Sequence, residues 1–361
     1  MNILNATKRY EAWVGQHTQL VAPDLRLKHR QMAESAFFFL RATFYRWMQV
    51  WPRICPDLNR VPRVLAVGDL HVENFGTWRD LEGRLVWGIN DFDEASTNPY
   101  TVDLVRLAAS ALLAVQGGHL AMRAKDAIEA ILEGYRGSLE EGGRPFVLGE
   151  NHPWLRQIAE SKLRDPVRFW QRMDGLPTLR GPIPAAARQA LERLLPERRL
   201  KYRLARRVAG LGSLGHMRFV AIAEWRGGLV AREAKALVSS ATHWLSPGHT
   251  PAEILYSRVL RRAVRCPDPY VQLRGPWIIR RLSPHCSRVE LDALGKSRGE
   301  LRLLEAMGWE TANIHLGSPR QRTNILKDLR RRKGNWLARA AAAMVQTMER
   351  DWRNWRKQQR P

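Results

Sequence analysis

Cysteine is scarce in these 361 residues, and the three present (Cys55, Cys266 and Cys286) stand far apart. That spacing excludes a Cys-x-x-Cys metal site and a disulfide framework, and it favours a reducing compartment. Acidic residues are short as well: 35 Asp and Glu stand against 59 Lys and Arg, a formal net charge of +24. Long apolar runs are missing. Neither the N-terminal MNILNATKRYEAW nor any later stretch holds the apolar core of a signal segment or a membrane span. A soluble, cytoplasmic protein is the expectation. Low-complexity tracts and repeats are absent too, so the chain reads as globular, long enough for one large core or two moderate ones.

The positive field suits polyanions such as nucleotides, nucleic acid and acidic membranes. A solvated basic surface is the alternative, and runs such as Arg330-Arg331-Arg332-Lys333 fit both. Non-specific polyanion binding is all that this feature implies.

What is present is concentrated in Val64–Glu94, VLAVGDLHVENFGTWRDLEGRLVWGINDFDE. The apolar run Val64–Val67 ends at Gly68-Asp69, and Asn74 follows five residues after Asp69. A second apolar piece, Leu85–Trp87, delivers Asn90-Asp91-Phe92-Asp93. Two strand ends thus each present a carboxylate, with a loop carboxamide between them. Hard divalent cations want oxygen ligands, and strand ends hold them rigidly. The protein-kinase catalytic loop has this grammar. There an Asp takes the acceptor proton, an Asn five residues on binds metal, and a later Asp-Phe carries the main Mg²⁺ ligand. Any one of these pairs is ordinary turn chemistry. Two linked ones, each behind an apolar run, single out Asp69, Asn74 and Asp91. Asp93 and Glu94 are further ligands or only caps of the turn.

Along the rest of the chain, Gln31–Val50 reads as one strongly apolar helix ended by Pro52 and Pro56. Arg41 on its aromatic face is expected to snorkel to the surface rather than pair with a buried carboxylate. Val102–Val115 and Arg123–Gly137 are further helices. Asp103, near the start of the first, either caps it locally or braces the loop of Asp69. Residues 140–200, rich in Gly, Pro and Arg, read as a connecting region. Then the period changes. A strand over Tyr202–Val208 runs into Gly210-Leu211-Gly212-Ser213-Leu214-Gly215, followed by a strand over His216–Trp225, a turn, and a strand over Leu229–Lys235. A dinucleotide fold would need a helix after those glycines. A strand there instead gives the nucleotide-covering sheet of a kinase, with glycines closing over phosphates and Lys235 reaching their oxygens. A plain hairpin with a surface lysine is the alternative. Pro251–Val264 reads as a helix, Tyr270–Leu282 as two short strands, and Glu300–Leu316 and Trp336–Trp355 as long helices.

GDLHVENFG, NDFDE, DLVRLAAS, VAGLGSLG and Ala234-Lys235 together resemble the bacterial family known as domain of unknown function 2252, from about residue 30 to 320. In motif shape the chain is also similar to aminoglycoside and choline kinases, whose loop has the form G-D-x-H-x-x-N. The resemblance implies an α+β, kinase-like two-lobe fold. It gives His71 a loop-bracing role, Asp69 and Asn74 catalytic roles, and metal to Asn74, Asp91 and Asp93. Gly210, Gly212, Ser213, Gly215 and Lys235 would bind the nucleotide, with ATP and Mg²⁺ (or Mn²⁺) as cofactors. Catalytic loop and metal Asp precede glycine loop and lysine here, which implies a circular permutation. Residues 1–140 and the C-terminal helices of 286–361 would form the large lobe, 141–200 the connection and 201–285 the small lobe. Glu253 and Glu233 are both poor partners for Lys235.

Three functions follow as expectations: phosphoryl or nucleotidyl transfer to an unidentified small-molecule or protein hydroxyl, a non-catalytic nucleotide- or polyanion-binding module, and a two-metal phosphoesterase using Asp69, His71, Asp91 and His152. A zinc deaminase is a weaker reading still, since His71-Val72-Glu73 lacks the paired cysteines.

Overall fold

The apolar N-terminal stretch folds as separate helices rather than one. The computed structural model describes residues 1–159, 165–246, 253–286 and 299–359. After α1 (Ile3–His17), the run expected as a single helix is cut into α2 (Ala22–Glu34), α3 (Ala36–Ala42) and α4 (Phe44–Ile54). Ser35 makes the first cut: its backbone is extended, and its hydroxyl caps α3 by accepting from Phe38 N at 3.1 Å. Thr43 makes the second and donates its hydroxyl to Phe39 O. With these breaks in place, Phe39, Trp47 and Trp51 are all buried. Pro52 does not end α4. It sits in the last turn, where few backbone bonds remain to lose, and Cys55 N still closes on Trp51 O at 2.9 Å.

Short strands then carry the acidic stretch. β1 (Arg63–Ala66) leads into the first motif, β2 (Phe75–Arg79) leaves it, β3 (Leu85–Ile89) leads into the second, and β4 (Ser96–Pro99) returns antiparallel to β1. β2 and β3 pair as a hairpin. Next come α5 (Tyr100–Gln116), which is buried along most of its length, and α6 (Ala124–Glu141). β5 (Phe146–Val147) extends the hairpin sheet, and α7 (Leu148–Asn151) and α8 (Pro153–Ala159) follow it.

The expected connecting region does more than connect. Its α9 (Pro166–Asp174) and α10 (Ala185–Arg193) cover opposite faces of the sheet that follows. That sheet comprises β6 (Arg203–Arg206), β7 (Arg218–Trp225), β8 (Gly228–Ala236), β9 (Gln272–Arg274) and β10 (Trp277–Leu282), antiparallel in the order β6-β7-β8-β10-β9. Side chains alternate along a strand. Phe219, Ala234 and Ile279 therefore pack under α10, while Arg218, Glu233, Lys235 and Arg280 share the other face. α11 (Ala241–Trp244) follows β8, and α12 (Tyr256–Arg262) lies beside β9. The helix expected over Pro251–Val264 is thus shorter, and its residues 251 and 252 lie outside the described residues.

The C-terminal part returns to the helical body. α13 (Gly299–His315) lies so close to α6 that a Cβ at Gly134 or Gly308 would run into the facing backbone. After α14 (Arg322–Arg331), α15 (Trp336–Gln358) packs along α5 and the N-terminal helices. Asp351 meets the buried Arg46 at 2.7 Å, and Trp352 and Trp355 donate to Ala33 O and His29 O. The result is a mixed α+β fold with small antiparallel sheets set among helices. No helix of the described residues is long and apolar enough to cross a membrane.

Candidate active site

The loop after β1 turns sharply because residue 68 is glycine. Its φ is +86°, and a Cβ there would collide with Glu94 O. Asp103 braces this loop from α5: its carboxylate accepts from Val67 N at 2.7 Å and Gly68 N at 2.9 Å. Of the two roles open for Asp103, bracing is the one observed. His315 of α13 stands 3.0 Å from the same carboxylate, wholly buried, and its other ring nitrogen meets Tyr135 at 2.8 Å. A helix from the far end of the chain thus holds the loop in place. Ser110 accepts from Val72 N at 3.0 Å, and His71 Nδ1 accepts from Glu73 N at 3.2 Å.

Asp69 points its carboxylate at Arg106, whose Nη2 is 2.5 Å away and whose Nε is 2.9 Å away. Burial raises the Asp69 pKa above the usual carboxylate range, and Arg106 opposes the rise. Arg106 is fully buried over the rings of Phe44 and Trp47. Asn74 ties the two motif loops together, donating to Asp69 O at 3.2 Å and Asp91 O at 3.3 Å. Both amide hydrogens are thereby used.

Lys235 of β8 meets this group across 142 residues of chain, with Nζ at 2.7 and 2.5 Å from the two Asp93 oxygens. Asp91 is 3.6 Å from the same ammonium. Burial and the neighbouring Asp91 push Asp93 up to about 7, against the pull of Lys235. Burial likewise pushes Glu94 up to about 7, although its carboxylate accepts from Ala241 N at 2.7 Å. Neither glutamate considered for Lys235 reaches it. Glu233 is enclosed by Arg207, Arg218 and Arg280, and the exposed Glu253 pairs with Arg258.

The glycine loop joins β6 to β7 as a 3-10 turn rather than opening an α-helix. It is closed down on the N-terminal helices. A Cβ on Gly212 would stand 3.2 Å from Arg41 O and 3.4 Å from the Asp69 carboxylate. Lys28 donates to Gly212 O at 3.1 Å, and Val21 N to Gly215 O at 2.8 Å. Ser213 accepts from Arg218 at 2.8 Å. Asp69, His71, Asn74, Asp91, Asp93, Gly210, Gly212 and Ser213 all line one cleft. Gly215 and Lys235 are not among the residues that line it. The space in the cleft is small, about 80 Å³.

Residues 20–148 match the family model described as "Uncharacterized protein conserved in bacteria (DUF2252)". The matched span carries both acidic motifs, Asp103 and Arg106, and stops before the glycine loop. It supports the family resemblance read from the motifs. No curated protein and no solved structure matches the chain.

Sequence reasoning missed several cleft residues. Arg41 does not snorkel: it is buried between Phe37 and Phe38 and pairs with Glu73 at 2.5 Å. A carboxylate in reach outweighs the route to solvent. Arg106 had a signal in the Asp103-x-x-Arg106 spacing, which places both on one side of α5. Lys28 had none. It is buried, with its pKa lowered by desolvation, although α2 reads as a surface helix. His152 is not in the cleft; it lines a separate pocket with Phe146, Trp154 and Arg302.

Proposed function

We propose that the chain is a kinase-like phosphotransferase in circularly permuted order, moving the terminal phosphoryl group of ATP to a hydroxyl acceptor. The observation that carries this reading is Lys235 facing Asp93 and Asp91, with the glycine loop against Asp69. A lysine on the third strand of the sheet, a glycine loop between the first two, and an Asp-x₄-Asn loop below them are the parts phosphoryl transfer uses. On this reading only the sequence order of the parts differs from that of a kinase.

Asn74, Asp91 and Asp93 offer the oxygen donors that Mg²⁺ or Mn²⁺ takes, and a bound ion would neutralise phosphate charge as it develops. Among the described residues no group of three or more His, Cys, Asp or Glu side chains is already gathered to hold a metal. The Lys235 ammonium occupies the acidic side chains instead, so Lys235 would turn from Asp93 to the phosphate oxygens. Asp69 takes the acceptor's proton as the new O–P bond forms, while the bond from the γ-phosphorus to the β–γ bridging oxygen breaks and ADP leaves. A carboxylate raised by burial and aimed by Arg106 is suited to that proton. Transfer of the nucleotidyl group would use the same parts.

A non-catalytic nucleotide- or polyanion-binding module is the second reading. The closed cleft and the engaged Lys235 favour it. Ligand pockets are ordinarily several hundred Å³, so the glycine loop must lift in either case. Turnover separates the two. Mg·ATP is expected to raise the melting temperature and to be consumed, with Asp91→Ala as the blank. A raised melting temperature without consumption favours the module. An unchanged one at saturating nucleotide sinks the kinase reading and the nucleotide-binding form of the module.

A further inference from the structure

Asp91 and Gly210, which line the cleft, also line a second, larger cavity of about 510 Å³. Six of its lining residues are arginines: Arg172, Arg207, Arg218, Arg265, Arg280 and Arg281. Against them stand Asp91 and Asp268 in the lining and Glu233 behind it. The excess of positive charge is built into the fold. Glu233 is wholly buried and takes Arg207 at 2.6 Å, Arg218 at 2.9 Å and Arg280 at 2.7 Å. One carboxylate cannot neutralise three guanidiniums.

Arg265 and Arg281 are held by aromatic rings and backbone carbonyls rather than by acids: Arg265 donates to Ile89 O at 3.1 Å and Arg281 to Arg79 O at 3.3 Å. The Arg265 guanidinium lies 4.6 Å from the ring of Trp78 and 5.0 Å from that of Phe92. Arg281 lies 4.4 Å from the ring of Tyr270. Each keeps a buried Nε without a hydrogen-bond partner among the described residues. Those two atoms are closed off from the cavity, and it is the gathered cations around it that are costly until an anion offsets them. Guanidinium forks pair with the oxygens of phosphate and carboxylate alike, and a diphosphate carries enough charge to engage several of them at once. The phosphoryl transfer proposed above uses none of these six side chains.

We propose that this cavity binds a phosphate-bearing anion of the diphosphate class, without metal and separately from the Asp69 cleft. The charged sheet face above it, with Arg218, Glu233 and Arg280, suits an anion better than the flat face of a base.

Calorimetric titration of the full chain with inorganic pyrophosphate, in metal-free buffer of low ionic strength, tests this. One site is expected. Arg265→Ala and Arg281→Ala should each weaken it about tenfold, the scale of a lost charge-assisted hydrogen bond. Lys235→Ala, whose ammonium is already paired with Asp93 and Asp91, should weaken it less than either arginine variant does. If the two arginine variants fail to fold, Arg172→Ala on the exposed side of α9 serves, with an expected loss of about threefold. Binding that survives the arginine changes but not Lys235→Ala puts the anion in the catalytic cleft and overturns the proposal. Absence of one-site binding overturns it too, as does citrate binding as tightly as pyrophosphate. No nucleotide or Mg²⁺ enters the titration, so its failure and the failure of the ATP reading are distinct results.

Discussion

Two clusters of buried charge meet at the same side of the five-stranded sheet, and they are built as opposites. Around Glu233, burial alone would raise the carboxyl, but Arg218, Arg280 and Arg207 overcome it and hold the group well below its usual value. Its cations come from β7, from β10 and from the residue after β6, so the cluster ties strands together. Around Asp69, Asp91, Asp93 and Glu94 the balance runs the other way. Burial and the other carboxylates push Asp93 and Glu94 up to about 7. Compensated buried charge serves the fold. Carboxylates crowded against one another are kept where something else completes them, and that is where function is found.

The sharpest way to break the comparison is to remove one centre from each cluster. Glu233→Gln leaves three guanidiniums without their counter-charge and is expected to destabilise the fold by about 3–5 kcal/mol in denaturant unfolding. Asp91→Asn removes one of several like charges. Its effect on unfolding should stay within about 1 kcal/mol, while ATP turnover falls on the order of 10²-fold or more. Equal stability losses in the two variants would erase the distinction drawn between clamp and site.

Acidity separates the clusters next. Glu94 and Asp93 have folded pKa values raised to about 7, so between about pH 4 and pH 7 the folded state binds more protons than the unfolded chain. Stability from these groups is fully present at the acid end of that window and is lost as the pH rises through 7. Glu233 has the opposite sign: its contribution is present above about pH 4.5 and is lost below it. Melting temperature against pH should therefore fall towards neutrality, and Glu94→Gln should flatten that fall. A melting temperature that rises steadily from pH 4.5 to 7 in the native chain would refute this assignment.

The smallest expected effect concerns the lid. Lys28→Met removes the ammonium that donates to Gly212 O. The cost in stability should be about 1–2 kcal/mol, since desolvation already disfavours that charge. Freed of this contact, the glycine loop should lift more readily, and nucleotide should associate faster by about threefold in stopped-flow binding. An unchanged rate would mean that Lys28 is no latch.

Much of the cleft was legible in the sequence because it is written in strand ends and turns. Asp69, Asn74 and Asp91 stand behind short apolar runs, and Gly210–Gly215 lies between two β-patterned runs. The cut of the first long helix at Ser35 and Thr43 was not legible. Both residues are tolerable inside a helix, and only the fit of Phe39, Trp47 and Trp51 into the core decided where it broke. The partner of Lys235 was missed for a related reason. A kinase-like pattern points to a glutamate near the sheet, whereas the carboxylate that reaches Lys235 of β8, Asp93, is on a different element.

By itself the sequence determined which residue types stand at which local geometries: carboxylates at strand ends, glycine at the positive φ of residue 68, a lysine two positions from a glutamate on one strand face. Periods of 2 and 3.6 and turn chemistry act over a few residues, so a linear reading captures them. Tertiary structure alone decided the pairings: His315 with Asp103, Lys28 with Gly212, three arginines on Glu233 and Lys235 on Asp93. Each joins parts of the chain far apart or chooses among many arginines of equal charge. The choice is made by which side chains the packed helices and sheet leave within hydrogen-bond reach once water is gone, and no local pattern encodes it.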